Sequence, residues 1–252
     1  MPVNLNPHSS WADVYDLAYE RSFGQLYNEL TRATIQVIAD RIRPNGKILD
    51  YGAGTGRLSI PLAQKGFDVT AVEPCAEMLG QLMQKKQSGM ILNPVCSKMA
   101  DYNGHMEFDI ALCVFSVLLY LLDEDLLRKS LEQAYASLKP SGMLLIDIPS
   151  RALFQSYSRK DHFIERTVLI IEQPDNIFIY SENLKVRQSN GDESSYSDEF
   201  HIRYWPTEIV RKVLEDVGFV TDADLSNHFA GTGAHYWLMK KAEPSAAVVD
   251  GE

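Results

Sequence analysis

The chain of 252 residues is 45% hydrophobic and 23% charged, with a formal net charge of -10, and this composition is typical of one folded domain. No apolar run approaches the roughly 20 residues that cross a bilayer, and the acidic balance with scattered Lys and Arg disfavours a nucleic-acid partner. Three cysteines without a metal-binding or disulfide spacing, and no secretory pattern at the start, lead us to expect a cytoplasmic protein without a metal site.

The first part of the chain, residues 1–44, has apolar residues at helical spacing from about residue 10 to residue 43. This pattern predicts two helices interrupted near Gly24, which we interpret as a helical cap. Pro44-Asn45-Gly46 then predicts a turn, and the period of the apolar residues changes after it.

Residues 45–150 alternate short apolar runs with helical segments. This alternation predicts βαβ units and a parallel sheet with helices on both faces, which we interpret as the core of the domain. The predicted strands are Lys47–Tyr51, Phe67–Val72, Gly89–Val95, Phe108–Phe115 and Gly142–Pro149, and the predicted helices are Arg57–Lys65, Ala76–Lys86 and Asp123–Leu138.

The alternation stops after Ser150. Three strand-like segments joined by polar turns predict an antiparallel insertion over residues 151–205, which either caps the site or pairs with a second copy in a homodimer. A helix that Gly218 ends and two more strands fill residues 206–241, and the small, polar residues 242–252 are expected to form a flexible tail. The strands predicted here are Thr167–Ile171, Ile177–Val186, Tyr196–Trp205, Phe219–Leu225 and Ala234–Met239.

The stretch ILDYGAGTGRLS, residues 48–59, joins the first predicted strand to a helix through three alternate glycines. Such a turn brings backbone N–H groups and the positive end of a helix close to a ligand, because no Cβ intervenes. Arg57 stands where the dinucleotide fingerprint G-x-G-x-x-G needs its last glycine, and the Gly-Lys-Ser/Thr of a P-loop is absent, so neither phosphate motif fits.

Glu73 follows the second predicted strand. Adjacent parallel strands place their carboxyl ends at one edge of the sheet, so we expect the Glu73 carboxylate beside the glycine loop. There it can accept hydrogen bonds from the two hydroxyls of a ribose. The sequence therefore predicts a ligand that contains a nucleoside.

Taken together, these motifs resemble those of the class I S-adenosylmethionine-dependent methyltransferases. The resemblance implies a Rossmann-like α/β fold: a mostly parallel seven-stranded sheet with helices on both faces, an N-terminal helical cap and an antiparallel β insertion after strand five. It rests on Asp50-x-Gly52-x-Gly54-x-Gly56, on Glu73-Pro74 with Met78 beyond it, on Phe108-Asp109, and on Leu138-Lys139-Pro140-Ser141-Gly142.

The resemblance also implies S-adenosyl-L-methionine as the cofactor. Ser97 stands where the family usually has an acidic residue near the adenine amine, and Asp101 is the alternative acid for that contact. The implied cofactor-binding residues are Tyr15, Asp50, Gly52, Ala53, Gly54, Glu73, Pro74, Met78, Ser97, Lys98, Met99 and Phe115.

The segment from Trp11 to Tyr19 is similar to the N-terminal helix of bacterial small-molecule methyltransferases, including amino-sugar N-methyltransferases. In these relatives a tyrosine at the position of Tyr15 reaches the methionine portion of the cofactor. We expect methyl transfer to nitrogen or oxygen of a small metabolite by in-line displacement. The alternatives are a peptide, protein or tRNA methyltransferase, and a non-catalytic cofactor-binding partner subunit.

The candidate catalytic residues are His201 and Tyr15. Alternation in the last predicted strand of the insertion places His201, Arg203 and Trp205 on one face, which contacts either the substrate or solvent. Phe115, Ser116 and Tyr120, at and after the end of the fourth predicted strand, form either a largely apolar rim for a small acceptor or the core where the strand runs into a helix. A base is optional, because methyl transfer mainly requires alignment of donor and acceptor and exclusion of water.

Overall fold

The computed structural model describes residues 6–187 and 191–242. It begins with a short 3-10 helix, Ser9–Val14, followed by helix α1, Tyr15–Ala39. Inside α1, Gly24 has φ 53 and ψ -125, so the predicted interruption at this residue is confirmed. The predicted flexible tail lies outside the described residues apart from Ala242. None of the described helices is both long enough and apolar enough to span a membrane.

In the described part of the chain the main sheet has seven strands: β1 (Lys47–Tyr51), β2 (Asp68–Val72), β3 (Leu92–Val95), β4 (Phe108–Cys113), β5 (Leu138–Pro149), β10 (Phe219–Asp224) and β11 (Ala234–Lys241). Their order across the sheet is β10-β11-β5-β4-β1-β2-β3. Neighbouring strands are parallel except that β11 runs antiparallel to β5 and to β10. The helices after α1 are α2 (Ser59–Gln64), α3 (Ala76–Lys85), α4 (Glu124–Ser137) and α5 (Thr207–Val217).

Apolar side chains pack on both faces of this sheet. Leu131 of α4 and Val213 of α5 lie in a buried cluster on one face, and Ile38 of α1 and Leu82 of α3 lie in a cluster on the other. The sheet is therefore covered by helices on both sides, as its near-continuous apolar strands predict. The predicted α/β fold class is confirmed.

Two of the predicted strand boundaries are wrong for identifiable reasons. The fourth strand ends at Cys113 rather than Phe115, because Phe115 and Ser116 have φ 68 and 70, outside the extended region. The fifth strand begins directly after α4, at Leu138 rather than Gly142. Pro140 disfavours helical backbone at the residue before it, so the chain becomes extended at once.

The insertion is a separate antiparallel sheet of four strands in the order β6-β7-β8-β9. Its strands are β6 (Tyr157–Lys160), β7 (Ile164–Glu172), β8 (Ile177–Arg187) and β9 (Glu193–Arg203). The sequence predicted three of them and missed β6, whose residues YSRK contain one apolar side chain and so show no alternation.

The inner face of the insertion packs against the N-terminal cap. Trp11 and Ala18 are buried together with Ile164 and Leu184 of the insertion. The cap and the insertion therefore form one layer, which lies over the carboxyl ends of the parallel strands.

Candidate active site

The glycine loop between β1 and α2 has a backbone that few residues other than glycine adopt. Gly52, Gly54 and Gly56 have φ 66, 56 and 92. A Cβ on Gly52 would lie 2.5 Å from Cγ2 of Val117, closer than packed atoms approach. The loop therefore combines a left-handed conformation with close packing, so alanine does not fit at position 52.

Glu73 lies at the end of β2, directly beside this loop. One carboxylate oxygen accepts the N–H of Gly54 and the other accepts the N–H of Cys75, each at 2.9 Å. Burial raises the pKa of Glu73, and these two N–H donors oppose that rise. A carboxylate has about four acceptor positions, so the two oxygens can accept further donors from a ligand.

Asp50, near the end of β1, contacts the other end of the glycine loop. Its carboxylate accepts a hydrogen bond from the Ser59 hydroxyl at 2.5 Å, which connects β1 to the start of α2. Burial raises the pKa of Asp50 to about 6, while Ser59 and the Arg57 guanidinium favour the charged form.

A cavity of about 490 Å³ extends from the glycine loop and Glu73 to the cap and to β9 of the insertion. Most of the residues predicted to bind the cofactor line it, as do both predicted catalytic residues, Tyr15 and His201, and their roles there remain predictions. These lining residues are Tyr15, Asp50, Gly52, Ala53, Gly54, Glu73, Pro74, Met78, Lys98, Met99, Phe115 and His201.

Ser97 is the predicted site residue that does not line this cavity. Its hydroxyl donates to the backbone carbonyl of Lys98 at 3.0 Å. The alternative acid, Asp101, also lies away from the cavity, where it forms an exposed ion pair with Lys129 at 2.9 Å. The described structure therefore places no carboxylate from this segment in the cavity wall.

The cap is attached to the glycine loop by a polar cluster. The Thr55 hydroxyl donates to Asp16 of α1 at 2.5 Å, and Lys85 of α3 forms an ion pair with the same carboxylate. Lys85 also donates to the backbone carbonyl of Thr55 at 2.8 Å. These contacts hold α1 over the cavity.

Tyr15, from the cap, and His201, from β9, both line this cavity. The ring of Tyr15 stacks on Tyr19 with centroids 4.3 Å apart. Burial raises the pKa of Tyr15 well above its usual value, so its hydroxyl stays protonated at neutral pH.

The prediction that Trp205 shares a face of the strand with His201 is wrong. Strand β9 ends at Arg203, and Trp205 turns into the main core, where it is 3% exposed. Its indole N–H donates to the carbonyls of Leu118 and Leu121. The alternation on which the prediction depended does not continue beyond the strand.

A second cavity, of about 320 Å³, lies next to the first beneath the cap and the insertion. Asp147 of β5 lines it, and both of its carboxylate oxygens accept the N–H of Ser116, at 3.0 and 3.1 Å. Burial raises the pKa of Asp147 to about 7. The residues that line both cavities are His8, Tyr15, Tyr27, Phe115, Tyr120 and Phe200.

His8 is a shared lining residue that the sequence analysis did not select. Its backbone N–H donates to Asp198 at 2.6 Å, and its Nε2 lies 2.8 Å from the Tyr120 hydroxyl. Burial, and then the charge of Arg166, lower the pKa of His8 to about 3. These contacts join residues more than a hundred positions apart, so no local sequence pattern reveals them.

The structure is a Rossmann-like α/β fold with a cavity at the carboxyl ends of its parallel strands, which residues of the cap also line. Residues 23–223 match the family model described as a methyltransferase domain. The chain therefore belongs to the methyltransferase-domain family and is a methyltransferase. The predicted family and enzyme class are confirmed.

Individual relatives match most of the chain. A putative methyltransferase of Bacillus subtilis (strain 168), YqeM, is 28% identical over 220 residues, which cover 79% of this chain and 85% of that protein. The glycine/sarcosine N-methyltransferase of Aphanothece halophytica is 24% identical over 229 residues, 86% of this chain and 84% of that protein. The amino pentose methyltransferase CalS10 of Micromonospora echinaspora, solved with S-adenosylmethionine bound, superposes with a TM-score of 0.73 at 19% identity, covering 91% of this chain and 97% of that one.

Proposed function

We propose that this S-adenosylmethionine-dependent methyltransferase transfers a methyl group to nitrogen or oxygen of a small molecule. The observation that carries the proposal is the pair of adjacent cavities. One lies beside the glycine loop and Glu73, and the other lies beneath the cap, with Tyr15, Phe115 and Tyr120 in the wall of both.

S-adenosylmethionine is the methyl donor, as the sequence predicted, and the residues of the larger cavity fit it. The carboxylate of Glu73 has acceptor capacity left for the ribose hydroxyls. Gly54 leaves room that a Cβ would fill, because such an atom would lie 3.5 Å from Cε of Met78. We assign Gly52 and Gly54 to the methionine and ribose portions and Met78 with Pro74 to the adenine.

When bound, the cofactor supplies a methyl group on a positively charged sulfur, a carbon already activated toward a nucleophile. The protein then has to align the acceptor and exclude water. The cap serves both needs, because Asp16 and Lys85 fasten it to the glycine loop and Tyr15 extends from it into the cavity wall.

We assign Tyr15 and His201 to the acceptor side of the reaction. A protonated Tyr15 hydroxyl can donate to or accept from the acceptor and so orient it. His201 is half-buried in the wall of the larger cavity and is the candidate for removing a proton when the acceptor requires it.

The names of two relatives support a small acceptor. One is called a glycine/sarcosine N-methyltransferase and the other an amino pentose methyltransferase. The size of the second cavity, about 320 Å³, agrees with this, since ligand pockets for small molecules have volumes of roughly 300–1,000 Å³.

The test is formation of S-adenosylhomocysteine by the purified full chain with three acceptor pools: small metabolites, peptides and tRNA. We expect turnover with the metabolite pool and its loss in Glu73→Ala. Turnover that requires the peptide or tRNA pool would overturn the small-molecule assignment. If the chain binds the cofactor but turns over none of the three pools, the result would favour the alternative that it is a non-catalytic, cofactor-binding partner subunit.

A further inference from the structure

The methionine portion of S-adenosylmethionine carries a carboxylate, and the larger cavity has to receive it. Burying a carboxylate without an opposite charge is costly, because the group loses its water and gains no partner. Among the described residues that line this cavity, three are acidic, Asp50, Glu73 and Asp123, and two are Lys or Arg, Arg57 and Lys98. The cofactor carboxylate therefore needs one of these two cations beside it.

The order of the strands indicates which end of the cavity receives the carboxylate. β2 lies between β1 and β3, and β4 is the neighbour of β1 on its other side. The glycine loop follows β1 and Glu73 follows β2. A cofactor with its ribose on Glu73 and its methionine portion on the glycine loop therefore extends from β2 across β1 towards β4. Its carboxylate is expected on the β4 side and its adenine on the β3 side.

The two cations lie at opposite ends of this path. Lys98 is exposed and follows β3. The guanidinium of Arg57 lies over the ring of Phe115, just after β4, at 4.3 Å, and over the ring of Tyr27 of α1 at 5.4 Å. Both rings line the larger cavity. Arg57 is therefore the cation of the described cavity wall that lies at the methionine end.

The guanidinium of Arg57 is held in place and still has donors to offer. Its Nη1 donates to the Thr31 hydroxyl at 3.0 Å, whereas Nε and Nη2 have no hydrogen-bond partner among the described residues and are not buried atoms. The ion pairs of the described residues do not include Arg57. A guanidinium presents its N–H groups in a rigid plane that matches the geometry of a carboxylate. Arg57 is thus able to bind a carboxylate that enters the cavity.

Two carboxyl groups of the protein interact with the charge of Arg57 without forming an ion pair with it. Burial raises the pKa of Asp50 and Asp147, and the charge of Arg57 is among the influences that oppose this rise. Asp50 accepts a hydrogen bond from the Ser59 hydroxyl, and Asp147 accepts the N–H of Ser116. Direct contact with the guanidinium therefore remains open to a ligand.

We infer that Arg57 binds the carboxylate of the methionine portion of S-adenosylmethionine, through N–H groups that it does not donate to Thr31. The contacts with Tyr27 and Phe115 fix the position of the guanidinium. Because Phe115 lines both cavities, this anchor holds the methionine portion at the end of the larger cavity that adjoins the second one. The inference rests on the methyl donor of the proposed function and is independent of the identity of the acceptor.

Three nucleosides that differ at the methionine end test the inference by calorimetry on the full chain. S-adenosylhomocysteine carries the carboxylate and the ammonium group, S-adenosyl-3-thiopropylamine lacks the carboxylate alone, and 5′-methylthioadenosine lacks both groups. The unaltered chain is expected to bind S-adenosylhomocysteine at least about tenfold more tightly than S-adenosyl-3-thiopropylamine, because a hydrogen-bonded charge pair is lost with the carboxylate.

Variants of Arg57 show whether this preference comes from its guanidinium. Arg57→Met keeps a long apolar stem without the charge and is expected to weaken binding of S-adenosylhomocysteine by about 10- to 100-fold. It should not weaken binding of the other two nucleosides. Arg57→Lys keeps the charge but not the planar group, and is expected to retain part of the preference.

The matched comparison is Lys98→Met, which removes the other cation of the wall. Any change that it causes is expected to be the same for all three nucleosides, so the preference for the carboxylate should persist. Binding of 5′-methylthioadenosine reports whether each variant is folded. If Arg57→Met is not folded, the milder variant Arg57→Lys provides the same comparison, and an undiminished preference in it would contradict the inference.

The outcomes separate this inference from the proposed function. Failure of the unaltered chain to bind any of the three nucleosides would overturn the donor assignment in the proposed function. If S-adenosylhomocysteine binds but Arg57→Met weakens all three nucleosides by the same factor, Arg57 has a structural role and the inference is wrong. It is also wrong if the unaltered chain shows no preference for the carboxylate, or if Lys98→Met removes that preference and Arg57→Met does not.

Discussion

The backbone N–H of Gly54 donates to Oε2 of Glu73 at 2.9 Å, so a direct hydrogen bond joins the glycine loop to the end of β2. The same carboxylate also accepts the N–H of Cys75. Glu73 therefore fixes the loop, and the proposed contact with the ribose hydroxyls would use its remaining acceptor positions. On this proposal, one side chain connects the loop conformation to cofactor affinity.

Replacing this carboxylate should weaken cofactor binding. Glu73→Ala is expected to cost about 1.5–3 kcal/mol of binding free energy for S-adenosylhomocysteine, or roughly 10- to 150-fold in Kd, because hydrogen bonds to a charged group are lost. Calorimetric titration measures the change. Glu77→Ala is the control, since Glu77 is exposed and does not line the cavity. A Glu73→Ala affinity within twofold of the unaltered chain would contradict the assignment.

The glycine loop should tolerate no Cβ at position 52. Gly52→Ala is expected to lower the free energy of unfolding by more than about 1–2 kcal/mol, because alanine at φ 66 is strained and its Cβ would meet Val117 at 2.5 Å. Gly80→Ala, in the exposed part of α3 with no neighbour within 4 Å, should instead stabilise by about 0.4–1 kcal/mol. Urea unfolding compares the two variants, and equal effects would show that the loop conformation is not required.

The ion pair between the insertion strands β7 and β8 should make a large contribution to stability when one partner is removed. Arg166 and Glu182 are 0% and 1% exposed in their side chains and lie 2.5 Å apart. Glu182→Leu is expected to lower the free energy of unfolding by about 3–5 kcal/mol, since it leaves a buried charge unpaired, and Arg166→Met added to it should recover much of the loss.

The control for this pair is the exposed ion pair of Lys212 and Asp216 in α5. Lys212→Ala removes this pair alone, because it leaves the contact of Asp216 with Arg128 in place, and is expected to change the free energy of unfolding by no more than about 1 kcal/mol. Chemical unfolding measures the loss of stability in each variant. If breaking the buried pair and breaking the exposed pair lower the free energy of unfolding by similar amounts, burial does not determine the energy of the Arg166–Glu182 interaction.

The pKa of Asp147 predicts a pH dependence of stability. Burial raises this pKa to about 7, above the roughly 3.9 of an unfolded aspartate, so between these values the native state binds more protons than the unfolded state. The contribution of Asp147 to stability is therefore present at low pH and is lost as the pH rises toward 7. Asp147→Asn removes this loss, so between pH 5 and pH 8 the free energy of unfolding of the variant should exceed that of the unaltered chain by about 1–3 kcal/mol.

Thermal unfolding at several pH values checks this prediction. The difference in stability between Asp147→Asn and the unaltered chain is expected to grow in favour of the variant as the pH increases. Curves that run parallel from pH 5 to pH 8 would show that Asp147 does not titrate in this window.

The parts of the site that are local in sequence could be predicted from the sequence. The glycines at 52, 54 and 56 stand at alternate positions of one short segment, and the position of Glu73 beside them follows from the rule that adjacent parallel strands end at one edge of the sheet. His8 could not be predicted, because its partners Tyr120 and Asp198 lie 112 and 190 positions away. These residues meet only in the folded structure, where the start of the cap packs against β9 of the insertion and against the segment after β4.

The second cavity also could not be predicted from the sequence. Asp147 lies within an apolar strand, where its neighbours indicate only a buried core position. Its carboxylate lines the cavity and accepts the N–H of Ser116, which together with Phe115 has a positive φ value. Such backbone conformations at residues other than glycine have no reliable sequence signal.

The most direct test of the central claim is a crystal structure of the full chain with S-adenosylhomocysteine. We expect the ribose hydroxyls to bind the carboxylate of Glu73 and the methionine portion to lie against Gly52 and Gly54. The sulfur is expected beside Tyr15 and Phe115, which line both cavities. A ligand bound elsewhere, or one whose sulfur points away from the second cavity, would contradict the account.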